Sequence, residues 1–248
     1  MNPRSHTLFH FTSSLDNIFK ILSSGLWPRY CAEDFRWYNE AIDYVAYPMV
    51  CFCDIPLTRI SEHTQFYGQF GIGFKRDWAI KSGLNPVIYL AENSPLRKSL
   101  LQMAHSDVFI KRDLKLTYND HYREILSQIK PLSGRMYDKA NRLEVEKDFY
   151  LENEWRYVPE LTEVNKCIPM EMYNDPLQNN KLNSKSYEQG LLKFSLSDIN
   201  YIFVDNESSL VSLLSYVDEL KSDEKDSELT IEILKSRLIT FDSIQRDF

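Results

Sequence analysis

The sequence predicts an α+β fold, and three observations carry that prediction. Short apolar runs of strand length alternate with stretches whose apolar residues recur at helical spacing. Glycine and proline fall at the junctions, and neither a repeat nor a low-complexity linker divides the 248 residues. With 43% hydrophobic, 13% aromatic and 26% charged residues, the chain can bury a sizeable core, and disorder is not expected. We read a single domain over 1–248, with a helical insertion over about 95–146 and an acidic helical extension over about 206–248.

Element by element, Leu8-Phe9-His10-Phe11-Thr12 reads as a strand. Ser13-Ser14 then cap a helix in which Leu15, Ile18, Phe19 and Leu22 form the apolar stripe, and Gly25 and Pro28 end it. Residues 30–47 lack a period and read as a loop with a helical turn. Pro48 to Cys53 is an apolar strand cut by Asp54 and Pro56, and Arg59–Tyr67 a helix stopped by Gly68. Phe70-Gly71-Ile72-Gly73-Phe74 is a strand whose glycines let something approach its backbone closely. A helical turn at Trp78–Lys81 ends at Gly83, and Pro86–Leu90 is a strand. Residues 95–130 are mainly helical, with Tyr122, Leu126 and Ile129 as a buried stripe; Leu132–Glu146 is irregular. Phe149–Val158 alternates as one strand with Glu152, Glu154 and Arg156 on one face, and 160–187 is polar and loop-rich. Leu191–Phe194 and Tyr201–Val204 read as strands, Ser208–Leu220 and Leu229–Ser236 as helices.

The net charge of −7 sits almost wholly in Asp205–Phe248, which carries −6. The excess of bases over 111–147 is modest, so a strong nucleic-acid footprint is excluded. No apolar run reaches the roughly 18 residues of a membrane helix, and the polar start Met1–His6 offers no signal core; a cytoplasmic protein is expected. Cys51 and Cys53 share a strand face, which sterically disfavours a bond between them, so buried free thiols are expected. The five scattered histidines make no metal site legible.

His10 is the odd residue of an apolar strand, either a hydrogen-bonded core histidine or a working one. It shares a face with Thr12, and the turn that follows feeds a helix N-terminus, where unsatisfied N–H groups favour a phosphate or ribose oxygen.

The opening, with Leu15-Asp16-Asn17-Ile18, Ile21-Leu22 and Gly25-Leu26 after the first strand, resembles ADP-ribosyltransferase-like domains. Closer still, Pro28-Arg29-Tyr30-Cys31, Pro48 to Leu57, His63 and Tyr67 to Gly73 resemble the abortive-infection family AbiGi, described as the antitoxin partner of a phage-defence pair. The match covers residues 8–90 well and the Glu-x-Glu-Trp-Arg strand at Glu152–Arg156 more loosely.

The resemblance implies an ADP-ribosyltransferase-like fold, a twisted mixed β-sheet core with helical insertions, and NAD as a bound substrate. It implies three catalytic positions: His10 bonding the adenine-side ribose, Tyr67 stacking on nicotinamide, and Glu154 facing the reacting ribose. Thr12, Arg29, Cys53 and Arg156 would complete the cofactor contacts beside His10 and Tyr67. The chemistry requires an acid at the last position, because breaking the nicotinamide–ribose bond develops oxocarbenium charge that a fixed carboxylate stabilises. Alternatives stand beside these assignments. Glu152 shares the face of Glu154, and either could be the inward acid; both could be paired with Arg156 in a structural role. Arg29 fits a phosphate or a surface salt bridge. Cys53 reads as structural, since Asp54 beside it disfavours a thiolate. The second strand, Cys51-Phe52-Cys53-Asp54, departs from the Ser-Thr-Ser or tyrosine signature of many transferases.

Three functions follow as expectations. One is an NAD-consuming effector in phage defence that transfers ADP-ribose to a protein or nucleic acid, or cleaves NAD. Another is a non-catalytic antitoxin or binding module of a toxin–antitoxin pair. The third is a protein whose acidic C-terminal region engages a basic partner. A cognate toxin or antitoxin is the expected partner, and no membrane.

Overall fold

A computed structural model describes residues 6–104, 115–138, 143–162, 165–220 and 228–247. Parts of the expected helical insertion, of the basic stretch and of the acidic extension therefore lie outside the described residues.

In chain order the elements are β1 (Thr7–Thr12), α1 (Leu15–Ser24), β2 (Arg29–Asp34), β3 (Tyr44–Cys53), α2 (Ile60–Tyr67), β4 (Phe70–Lys75), α3 (Arg76–Lys81), β5 (Asn85–Pro86) and β6 (Ile88–Leu90). They continue with α4 (Pro95–Ala104), α5 (Lys115–Ser127), β7 (Ile129–Pro131), β8 (Ser133–Asp138), β9 (Leu143–Asp148), β10 (Glu154–Tyr157), β11 (Ile168–Pro169), α6 (Met170–Asn174) and α7 (Pro176–Gly190). The last five are β12 (Ile199–Val204), α8 (Glu207–Glu219), α9 (Glu228–Lys235), β13 (Leu238–Thr240) and α10 (Phe241–Asp247). This is an α+β architecture with a mixed sheet. None of the described helices is long and apolar enough to cross a membrane.

The chain divides into two compact units, one of Met1–Leu26, Cys51–Leu84 and Leu192–Phe248, the other of Trp27–Val50 and Asn85–Leu191. In the first, β4 lies between β1 and β12 and pairs antiparallel with both, while β13 joins β12 in parallel. The end of β3 pairs with β1 through Phe9 and Cys53. Ser14 caps α1 by accepting from the Asn17 N–H, and Gly25 ends it at φ 101°, as the sequence predicts. The space over the glycines of β4 is taken by the protein itself. A Cβ on Gly71 would lie 2.3 Å from Phe203 Cζ, and one on Gly73 would lie 2.6 Å from Thr7 Cγ2. The close approach expected there is aromatic core packing.

In the second unit β3 pairs antiparallel with β2 and with β11, and β10 joins it to β5. Here the sequence reading needs correction in four places. The expected loop over 30–47 is instead β2 and the start of β3, a long antiparallel pair from Arg29–Met49 to Asp34–Tyr44. Its partner helix α7 lies in the segment expected to be loop-rich. The buried stripe of α7 is Asn179, Asn183, Ser186 and Gly190, a polar stripe that carries no hydrophobic period. These side chains replace apolar packing by hydrogen bonds: Asn183 accepts from the Tyr30 N–H at 3.0 Å, and Trp27 donates to the Asn183 carbonyl at 2.9 Å. The stretch expected to be irregular, Leu132–Glu146, holds β8 and most of β9, which pair antiparallel. The single strand expected over Phe149–Val158 is broken. Phe149–Glu152 form a 3-10 turn, Asn153 sits in the left-handed region at φ 45°, and only Glu154–Tyr157 are extended.

Two smaller corrections belong to the first unit and to the second. Leu191–Phe194 contributes one isolated bridge, between Leu192 and Leu26, rather than a strand. Pro86–Leu90 forms two short strands, β6 pairing in parallel with β7, which begins at Ile129.

Candidate functional site

The residues singled out from the sequence fall into both units. His10, Thr12, Cys53 and Tyr67 belong to the first, and Arg29, Glu154 and Arg156 to the second.

In the first unit His10 Nδ1 lies 2.9 Å from the Cys51 carbonyl. A carbonyl only accepts, so Nδ1 carries the hydrogen. Desolvation by burial lowers the pKa of the imidazole, and the bond to Cys51 offsets this in part. The ring faces Phe52 at 5.6 Å between centroids. Strand alternation sends Phe11 to the other face of β1, where its ring stacks on His63, and His63 in turn stacks on Tyr67. β1 therefore separates His10 from Tyr67. Thr12 accepts from Asn17 Nδ2 at 2.8 Å and pins the β1–α1 corner. The C-terminus of α2 closes on that corner: a Cβ on Gly68 would lie 2.3 Å from the Thr12 carbonyl, and at φ 101° only glycine is at ease. Cys53 is buried in an apolar cluster with Phe9, Ile55, Ile60 and Phe203.

In the second unit Arg29 is exposed, with its guanidinium 4.6 Å over the Trp27 ring. Glu154 and Arg156 lie at the centre of a buried charged cluster. Arg156 is 0% exposed and uses its whole fork. Nε donates to Glu154 Oε1 at 2.8 Å, Nη1 to the Ser127 carbonyl at 2.6 Å, and Nη2 to Glu33 Oε2 at 2.6 Å and Glu154 Oε2 at 3.2 Å. Lys130 donates to Glu154 Oε2 at 3.0 Å and to Glu152 Oε2 at 3.3 Å, with its ammonium 4.2 Å over the Phe149 ring. Lys147 holds Glu152 Oε1 at 2.6 Å.

Three carboxylates thus meet three cations. Burial alone would lower the pKa of Lys130, but the carboxylates of Glu154, Glu33 and Glu152 outweigh it and hold the ammonium well above its usual value. Burial would raise Glu152, and Lys130 and Lys147 bring it below the ordinary carboxylate range. The backbone is satisfied too, since the Glu154 N–H donates to Tyr89 Oη at 2.8 Å.

Both acids of the Glu-x-Glu motif are therefore inward. The sequence reading missed Lys130, Lys147 and Glu33. A lysine between Ile129 and Pro131 in a short apolar run was the available signal, because a buried lysine needs a carboxylate.

The class these features define is an α+β protein with a charge-balanced, buried ionic centre. A family model described as abortive phage resistance protein AbiGi, antitoxin, matches residues 24–205, and the chain belongs to the AbiGi family. It is similar to the abortive phage resistance protein AbiGi of Lactococcus lactis subsp. cremoris, with 30% identity over 246 residues, covering 86% of this chain and 98% of that one. No solved structure matches the chain.

Proposed function

We propose that this chain acts as the antitoxin of an abortive-infection pair, by binding a cognate protein and without NAD chemistry of its own. The observation that carries the reading is the condition of Glu154. Both of its oxygens are engaged by Arg156 and Lys130, and it is 4% exposed. A carboxylate that stabilises an oxocarbenium ion must turn a lone pair to the sugar. Here the cations that hold Glu154 also neutralise it. The family description points the same way. The test is nicotinamide release from NAD by the purified chain, together with growth of a bacterial host expressing it alone. Background release and unimpaired growth are expected; release that disappears in a folded His10→Gln variant refutes the reading.

A second reading, an NAD-binding or NAD-consuming protein with the residue roles assigned above, draws on the β1–α1 corner. There Thr12 and the capped N-terminus of α1 stand against Gly68. A rise in melting temperature with NAD that is lost on Thr12→Val would favour it. Its acceptor would then be a protein or a nucleic acid.

A further inference from the structure

Beside the buried stripe of α7 runs an exposed one that neither functional reading uses. Leu177, Asn180, Ser184 and Tyr187 follow one another at spacings of three and four residues, so they share one side of the helix along about 15 Å. All four are exposed, Leu177 at 83% and Tyr187 at 39%. At the C-terminal end of this side Tyr187 meets Trp27 edge to face, with ring centroids 5.3 Å apart. Trp27 is pinned from behind, its Nε1–H shared between the Asn183 carbonyl at 2.9 Å and Ser186 Oγ at 3.2 Å. The Arg29 guanidinium lies over the Trp27 ring at 4.6 Å and is exposed.

Arg29 is held in place but not used. Stacking on an indole restrains the guanidinium, and its N–H donors bond to no described residue; no described carboxylate pairs with it. Arg36, Arg76 and Arg156, by contrast, each hold a carboxylate. An arginine ordered ahead of binding loses little side-chain freedom when it meets an anion. Of the other charges on this side, Lys181 and Glu188 border the stripe and offset each other, and Asp175 is taken up in capping α7. Arg29 therefore sets the sign. Trp, Tyr and Arg are the residues that dominate protein–protein hot spots, and a guanidinium fork matches a carboxylate in two parallel bonds. A nucleic acid would need several basic contacts along its phosphates, which a patch with this charge balance on a chain of net charge −7 does not supply.

We propose that the Leu177–Tyr187 side of α7, together with Trp27 and Arg29, is the surface through which this chain binds its cognate protein, and that Arg29 receives an aspartate or glutamate side chain of that partner. This surface deepens the antitoxin reading and rests on it.

Biolayer interferometry of the full chain against the purified toxin of the same pair tests it, with a 20-nucleotide single-stranded RNA as the second probe. The parent is expected to bind the toxin and not the RNA. Arg29→Ala should weaken binding roughly 30-fold or more, and Tyr187→Ala about fivefold or more, as hot-spot truncations do. Arg29→Glu, which sets like charges against each other, should weaken it further than Arg29→Ala. Gln189→Ala, exposed on another side of α7, should change nothing, and circular dichroism confirms that each variant is folded. A parent that does not bind the toxin overturns the antitoxin reading and this surface with it. Toxin binding that is unchanged in folded Arg29→Ala and Tyr187→Ala overturns this surface alone and leaves that reading standing. A loss in Arg29→Glu no greater than in Arg29→Ala overturns the acidic partner group, and Arg29-dependent binding of the RNA in place of the toxin overturns the protein partner.

Discussion

Replacing Glu154 by Gln removes one charge from the buried cluster with almost no change of shape. The three cations Lys130, Lys147 and Arg156 then face two carboxylates, Glu33 and Glu152, and Arg156 at 0% exposure has no access to water. Breaking a buried ion pair on one side costs about 3–5 kcal/mol, because the remaining charge is desolvated without compensation. For a chain of this size each kcal/mol lowers the melting temperature by about 2–4 °C, so Glu154→Gln should melt roughly 6–20 °C below the parent. Scanning calorimetry at neutral pH reads this directly. The paired variant Glu154→Gln with Arg156→Met removes both charges and should recover part of the loss, giving a coupling well beyond additivity. A drop under about 2 °C for the single variant, or strictly additive losses in the pair, would refute the view that the cluster is a mutually compensating unit.

Further outcomes follow from other residues. The folded-state pKa of His10 is depressed below 6.5, so its contribution is complete above pH 6.5 and lost as pH falls through the folded value; stability against urea should decline below pH 6.5, and less so in His10→Gln. Glu152 is likewise held below the ordinary glutamate value of about 4.5, so the ionic cluster adds a second loss beginning below about pH 4.5, which Glu152→Gln should abolish along with part of the neutral-pH stability. Gly71→Ala drives a methyl group into the Phe203 ring and should cost about 1–3 kcal/mol in denaturant unfolding; a neutral effect would show that the ring yields freely. Asn183→Ala leaves the Tyr30 N–H without its acceptor and should cost about 1–3 kcal/mol, seen as a lower midpoint at unchanged slope.

How far the sequence reading reached depended on what kind of contact holds each element. The first unit was legible because its signals are local: Ser14 and Gly25 bound α1, Gly68 stops α2, and the apolar run of β4 is short and continuous. The second unit was less so. β2 is covered by a helix more than 140 residues away, whose inward face is Asn179, Asn183 and Ser186, and a polar stripe satisfied by distant backbone looks the same in sequence as a solvated one. The site shows the same divide. Glu152, Glu154 and Arg156 were visible as a motif two residues apart, but the meaning of that motif lies with Lys130, Lys147 and Glu33, which only the fold brings to it. The alternating face assigned to Glu152 and Glu154 failed as geometry, because Asn153 turns the chain between them, although both side chains still point inward.

The interleaving of chain segments sets an order of events during synthesis. β4 emerges early, but one of its two edges stays open until β12 is made, and the groove over Gly71 is filled only when Phe203 arrives, some 130 positions later. At about 5–20 residues per second, that edge is exposed for roughly 7–26 s on every ribosome, a long interval for an unpaired apolar strand. The first unit is therefore completed late, and substitutions in β12 should lower the yield of soluble protein more than their effect on the finished fold would suggest.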